Sequence, residues 1–261
     1  MAKKIIGWFY SIIILIFFYA PVAVLMAMSF NKSRYGALPF EFSTEWYRVL
    51  FSNQKLIQAA LDSLAIAAVT AVLCVVLGTA MMLGQREFNS RVKAFFNSLV
   101  VFPLVIPWII LGLSLLLLLR ALGLDRNYAM LLIGHVVVSF PYAVMVIGAR
   151  LEDMNSEIQE ASYNLGANEW TTFKRITLPM LSPAMLAGGF LAFMISFDNF
   201  VLSYFLIPTG KTTLPIEIYS SIKFGFTPEI NAISSIILAA TLLMITVIAV
   251  LMRSSLMRMF K

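Results

Sequence analysis

Six long apolar runs constrain this chain more than anything else in it. They cover about 5–30, 62–84, 95–119, 128–149, 183–207 and 230–252. A helix needs ~20 apolar residues to cross a hydrocarbon core about 30 Å thick. A spanning strand would need only ~9–11, alternating in polarity. These runs are longer and do not alternate, so they predict helices, whose backbone polar groups pair within one segment. Side chains are 61% apolar and 12% charged, against about 25% charged in soluble domains. So little polar surface cannot cover a soluble globule of this length. The expected fold class is all-α membrane protein, with six transmembrane helices in a single domain over residues 1–261.

Several classes drop out at once. The only cysteine, Cys74, has no disulfide partner in the chain. One cysteine and one histidine, His135, cannot make a Cys/His zinc site, so no metal is expected. No G-x-x-x-x-G-K-[ST] loop is present to cradle nucleotide phosphates. H-E-x-x-H and G-x-S-x-G are absent too, and one acid deep in a span has no second carboxylate beside it. Lys3 and Lys4 imitate the basic start of a signal peptide, but the run behind them far exceeds a signal h-region of ~7–15 residues, so it reads as a retained span. Pro21 is expected to kink it, and Pro103 and Pro107 to bracket a kink in the third span.

The net charge of +6 reads as topology, and no aromatic-interleaved basic patch points to nucleic acid. An internal N-terminus puts eleven of the 19 basic residues inside, among them Lys3, Lys4, Arg86, Arg91 and Lys93. Basic residues flanking spans favour the cytoplasm, and an even number of spans puts both termini there.

The loop between spans four and five, residues 150–182, is the longest polar stretch on that side. Ser156 and Gln159 have capping-box spacing, which predicts a helix over 157–165. Gly166 suits the left-handed residue past its end. A second helix is expected from Asn168 to about Thr177, stopped by Pro179. Two short helices at a glycine bend make either a docking knob or an ordinary amphipathic connector.

The residues of this loop carry a resemblance. Glu160-Ala161-Ser162, three residues, Gly166, nine residues, then Ile176, Leu178 and Pro179 resemble the EAA loop of permease subunits of binding-protein-dependent ABC importers. Ser162 stands for the second alanine. The order of spans, SFDNF in the fifth and TTLPIEIYSSIKFGFTPEINA before the sixth are similar to the PotC-type permeases of spermidine/putrescine importers. The likeness runs over essentially the whole chain. It departs at Asp198-Asn199, where polyamine permeases tend to carry two adjacent acids, and this leaves opines, amino-acid derivatives and other organic solutes open.

The resemblance implies a type I importer permease in a bacterial inner membrane. A second homologous permease, two ATPase subunits and an extracytoplasmic binding protein would be its partners. ATP with magnesium would sit on the ATPases, with no cofactor on this chain. Glu160, Ala161, Ser162, Gly166, Ala167, Ile176, Leu178 and Pro179 would couple to the ATPase.

The residues themselves point to a solute path in the fifth span. Ionisable groups inside spans cost ~2.5–3.5 kcal/mol and usually face a bundle interior or cavity. Asp198 lies about midway along LAFMISFDNFVLSYFL, with Asn199 beside it. Phe190, Phe193, Phe197, Phe200 and Tyr204 step by three and four, so the rings are expected to share one helical face. A carboxylate beside aromatic rings suits an amine cation, each ring contributing roughly 0.5–2 kcal/mol. Core or lipid packing explains the rings equally well, and a structural hydrogen bond would explain Asp198. Ala184, Gly188, Ala192 and Ser196 step by four on another face, spacing that lets helices pack closely.

His135, near Ser139 and Pro141, reads as hydrogen-bonded core more readily than as a proton relay. Trp46 and Tyr47 begin an interfacial helix in the first outer loop, with Thr44 as its expected cap. Glu229 and Asn231 mark the start of the sixth span. A stand-alone secondary transporter or channel is the other function class, and it leaves the inner loop unexplained.

Overall fold

The computed structural model describes residues 2–34, 37–225 and 227–259. Among them the backbone is nearly all helical, and extended pairing is confined to an isolated bridge between Asn31 and Phe42. Among the described residues five helices are long and apolar enough to cross a membrane alone, or six spans where one sharply bent helix pair counts as a single span. The chain divides into two compact units, Met1–Gln58 with Glu217–Val247, and Ala59–Ile216 with Ile248–Lys261.

The first unit holds α1 (Ala2–Ser29), α2 (Glu45–Ser52), the start of α3 (Gln54–Gly84), most of α11 (Leu214–Phe224) and most of α12 (Glu229–Met259). α1 continues through Pro21 as one helix and carries exposed rings at Trp8, Phe9, Phe17 and Phe18. A helix apolar all round matches a lipid surrounding. The Trp46 indole N–H donates to the Asn31 carbonyl at 2.7 Å, and the Tyr47 and Ser29 hydroxyls meet at 2.8 Å. Both aromatics thus tie α2 to the end of α1. The expected Thr44 cap is not made; the Ser43 hydroxyl accepts the Glu45 N–H instead, at 3.1 Å. α12 begins at Glu229, as the acidic start predicts.

The second unit holds the rest of α3, a 3-10 turn (Gln85–Glu87), α4 (Ser90–Val105), α5 (Trp108–Ala121) and α6 (Tyr128–Glu152). It continues through α7 (Ser156–Asn164), α8 (Glu169–Thr172), a π turn (Phe173–Thr177), α9 (Leu178–Phe197) and α10 (Phe200–Leu206). Its packing centres on α6 against α9. Ala184, Gly188, Ala192 and Ser196 are all buried there. A Cβ on Gly188 would lie 3.1 Å from the Ala143 carbonyl oxygen, so a larger residue would push the two closely approaching backbones apart by a few tenths of an ångström. One core gathers Cys74, Val144, Ile147, Leu181 and Ala192, and a second gathers Ile66, Leu131, Val138, Leu202 and Leu206.

Three expectations are corrected. The third span is not kinked but sharply broken, with α4 and α5 meeting at 103°. Pro103 sits within α4, whereas Pro107 is the residue before α5 and drives Ile106 to φ −82°, ψ 127°. A proline forces its predecessor out of helical geometry. The fifth span is not one helix over 183–207 either; it breaks between Phe197 and Phe200. Finally, Pro179 stops nothing. The helix that starts at Glu169 passes through the π turn and becomes α9, with Pro179 in its first turn. Proline removes an i→i−4 bond, and a widened turn directly ahead accommodates that loss.

Candidate functional site

The cytoplasm-expected loop folds as the sequence predicts in outline, with different caps. Ser156 is the first helical residue and Asn155 is the cap, its side-chain oxygen accepting the Glu157 N–H at 2.9 Å. Asn168 caps the second helix through the Thr171 N–H at 2.8 Å. Asparagine satisfies orphan amides at helix starts as well as serine does. At the bend, Gly166 has φ +84°. The Gly166 N–H donates to the Tyr163 carbonyl at 2.9 Å and the Ala167 N–H to the Ser162 carbonyl at 3.1 Å. This is the Schellman pattern, which closes a helix and reverses the chain.

The bend thrusts apolar side chains into the open. Leu165 is 89% exposed and Trp170 67% exposed, with Ile158 and Tyr163 also outward. Glu160 and Ala161 lie on the same exposed helix, while Ser162 is buried. The Ser162 hydroxyl meets the Thr172 hydroxyl at 2.9 Å and joins α7 to α8 across the bend. An alanine could not make that bond. Gln159, released from a capping role, spans further. Its side-chain oxygen accepts from an Arg86 guanidinium N–H at 2.7 Å, and its amide N–H donates to the Thr177 hydroxyl at 3.0 Å. Ile176 and Leu178 are half-buried at the root of the segment, and Pro179 is exposed.

The second candidate region is the break in the fifth span. Asn199 is the N-cap of α10, its side-chain oxygen accepting the Leu202 N–H at 2.9 Å. Asn199 is buried and its amide nitrogen has no partner among the described residues. Asp198, one residue earlier, is exposed, and no hydrogen bond or ion pair to its carboxylate occurs among the described residues. The aromatic series therefore does not form one continuous face. It splits into a stacked pair on α9, Phe193 and Phe197 at 5.8 Å, and a tilted pair on α10, Phe200 and Tyr204 at 5.5 Å, with Asp198 between them along the chain.

His135 holds this break from α6. Its Nδ1 lies 2.8 Å from the Ser196 hydroxyl on α9, and its Nε2 lies 3.2 Å from the Ser203 hydroxyl on α10. All three residues are buried. A neutral imidazole has one donor and one acceptor nitrogen, and a hydroxyl can serve either. The core-histidine reading thus holds, and it gains a specific role, since His135 bridges the two helix segments. Sequence reasoning missed Ser203, Arg86, Thr172 and Thr177. Ser203 and Arg86 find partners more than sixty positions away, while Thr172 and Thr177 pair within the loop through contacts that no local motif marks.

Two adjoining cavities of about 280 Å³ and 220 Å³ open between α3, α4 and α6. The larger is mainly apolar, with Met82, Val100, Val144 and Gly148 in its wall; the smaller adds Gln85, Arg86 and Lys93. Asp198 lines neither.

Residues 75–260 match the family described as "Binding-protein-dependent transport system inner membrane component". The spermidine/putrescine transport system permease protein PotC of Escherichia coli K12 is 34% identical over 229 residues, 88% of this chain and 87% of that one. The putrescine transport system permease protein PotI of the same strain is 38% identical over 231 residues, covering 86% and 82%. In structure, the chain resembles a subunit of a bacterial ABC transporter involved in the import of alginate, with a TM-score of 0.66, 16% identity and 97% of each chain covered. That likeness carries the fold. The helical spans, the EAA-type loop and these matches together place the chain in the binding-protein-dependent ABC importer family, as a multi-span permease of the bacterial inner membrane and not an enzyme.

Proposed function

We propose that this permease forms half of the passage for a polyamine, spermidine or putrescine, or a related cationic organic solute, in an importer driven by ATP. The other half comes from a second homologous permease. Two ATPase subunits, holding ATP with magnesium, dock on the cytoplasmic face, and an extracytoplasmic binding protein delivers solute to the other. Both chain termini lie in the cytoplasm. Opines, amino-acid derivatives and other organic solutes are the alternative cargo.

The observation that carries this reading is the exposed tip at Gly166. A leucine 89% exposed and a tryptophan 67% exposed stand on a bend held rigid by the Schellman bonds and by the Ser162–Thr172 pair. Aromatic and aliphatic anchors on a rigid projection are the usual centre of a protein–protein contact. Glu160, Ala161, Gly166 and Ala167 form its surface, and Ile176, Leu178 and Pro179 its root. ATP binding closes the ATPase pair, and the tip carries that motion to the spans. At the other region, the free carboxylate of Asp198 between two aromatic pairs supports recognition of an amine cation. Asn199 positions that carboxylate by capping α10. The identities to polyamine permeases support the cargo class.

The test uses the assembled importer. Cys74 is the sole cysteine and is buried, so Leu165→Cys adds one accessible thiol. A thiol–thiol crosslinker at that position is expected to capture the ATPase subunit in membranes. A complex that transports solute yet never yields that crosslink overturns the docking assignment.

A further inference from the structure

We infer that Gln159 is a positioning residue that ties the docking tip to two transmembrane spans at once, so that ATPase motion moves α3 and α9 together. The inference rests on the docking assignment above and goes beyond it, because Gln159 lies behind the contact surface. Its carboxamide uses both of its ends. The oxygen accepts from Arg86, in the 3-10 turn that terminates α3, at 2.7 Å. The nitrogen donates to Thr177, the last residue of the π turn that opens α9, at 3.0 Å.

The rest of the tip has the properties a lever needs. Ser162 and Thr172 lock α7 to α8 on the far side of the bend, so load on Leu165 or Trp170 cannot simply unfold the turn. That load must leave through the segment's two roots. One root is continuous with α9 through the π turn, an irregular helix turn of the kind that often marks a hinge. The other root is the three-residue link, 153–155, to α6, and a further route is side-chain only: α7 reaches α3 through Gln159 and Arg86. Without the carboxamide, α9 would still be pushed along its own axis, but α3 would not follow, and Thr177, buried in the segment, would lose its side-chain partner. Glutamine suits this position because its planar carboxamide offers an acceptor oxygen and a donor nitrogen side by side.

The experiment measures solute moved per ATP hydrolysed, in the full importer reconstituted in liposomes with its binding protein. Gln159→Ala is expected to assemble and to hydrolyse ATP, while that ratio falls roughly tenfold or more, since a hydrogen bond to a charged donor and a neutral one together exceed what one factor of ten requires. Thr177→Val keeps the Arg86 contact but removes the hydroxyl that accepts from the carboxamide nitrogen. Its loss should be smaller than that of Gln159→Ala, and the double variant should be no worse than Gln159→Ala alone. Additive losses, or an unchanged ratio in Gln159→Ala, overturn the inference. If the alanine variant fails to assemble, Thr177→Val and Arg86→Ala are each expected to lower the ratio, and an unchanged ratio in both overturns the inference. Failure of the docking assignment reads out separately, as loss of the Leu165 crosslink with the ratio untouched.

Discussion

The docking segment and the break in the fifth span both interrupt helices, and both place a functional candidate at the interruption. They are built in opposite ways. The segment's bend is made by its neighbours in sequence: Asn155, Asn168 and the Schellman bonds around Gly166 all act within a few residues. The break at Asp198 has local bonds too, the Asn199 cap and a Phe200 N–H to the Asp198 carbonyl at 2.9 Å. Its two sides are joined through side chains from His135, more than sixty positions away, which holds Ser196 and Ser203 on either side. The first region presents apolar surface outward, buries the Ser162–Thr172 pair and leaves its asparagine caps and the Arg86–Gln159 bond exposed. The second buries a polar cluster among apolar spans and leaves one carboxylate unclaimed. A locally made bend can bear load as a unit, whereas a break held by a third helix moves when that helix moves.

This contrast can be broken at three points. The largest effect is expected at the tip. Leu165→Asp should abolish copurification of the ATPase, a loss of about 2 kcal/mol or more for a central apolar anchor, with the helical content of the permease unchanged by circular dichroism. An ATPase that still copurifies would move the contact elsewhere on the cytoplasmic face.

Asp198→Asn comes next. Uptake of a cationic solute should fall roughly tenfold or more, the scale of one charge-assisted contact, while the complex still assembles. Initial-rate uptake measures it, and unchanged kinetics would take Asp198 out of the pathway.

His135→Ala is the smallest of the three and sharpens the comparison most. Losing two intramembrane hydrogen bonds should cost about 1–2 kcal/mol, seen as a lower unfolding temperature in detergent. Uptake should weaken through its concentration dependence while the Leu165 crosslink persists. If the crosslink were lost as well, the two regions would not be built independently.

Much of this was legible from residues alone. The apolar runs placed the spans, because length against bilayer thickness is a one-dimensional constraint. Small residues at four-residue spacing marked the face of α9 that meets α6, and the structure buries each of them. Gly166 announced a left-handed residue, and it adopts φ +84°. Local rules failed where two of them competed. Ser156 with Gln159 has capping-box spacing, yet Asn155 stands one residue earlier and takes the cap, leaving Gln159 free to bridge Arg86 and Thr177. Pro179 reads as a stop, but a π turn before it absorbs the missing bond. The aromatic series keeps its spacing along the chain and is split by the break.

The sequence by itself determined a helical membrane permease, the apolar runs that form its spans and the position of the bend at Gly166, since each follows from runs and caps within a single stretch of chain. Only the tertiary structure decided that the fifth span is interrupted at Asp198, that His135 bridges the interruption, and that Gln159 reaches two spans. Those outcomes depend on hydrogen bonds between residues far apart along the chain, and inside a membrane a polar group settles wherever packing brings it a partner.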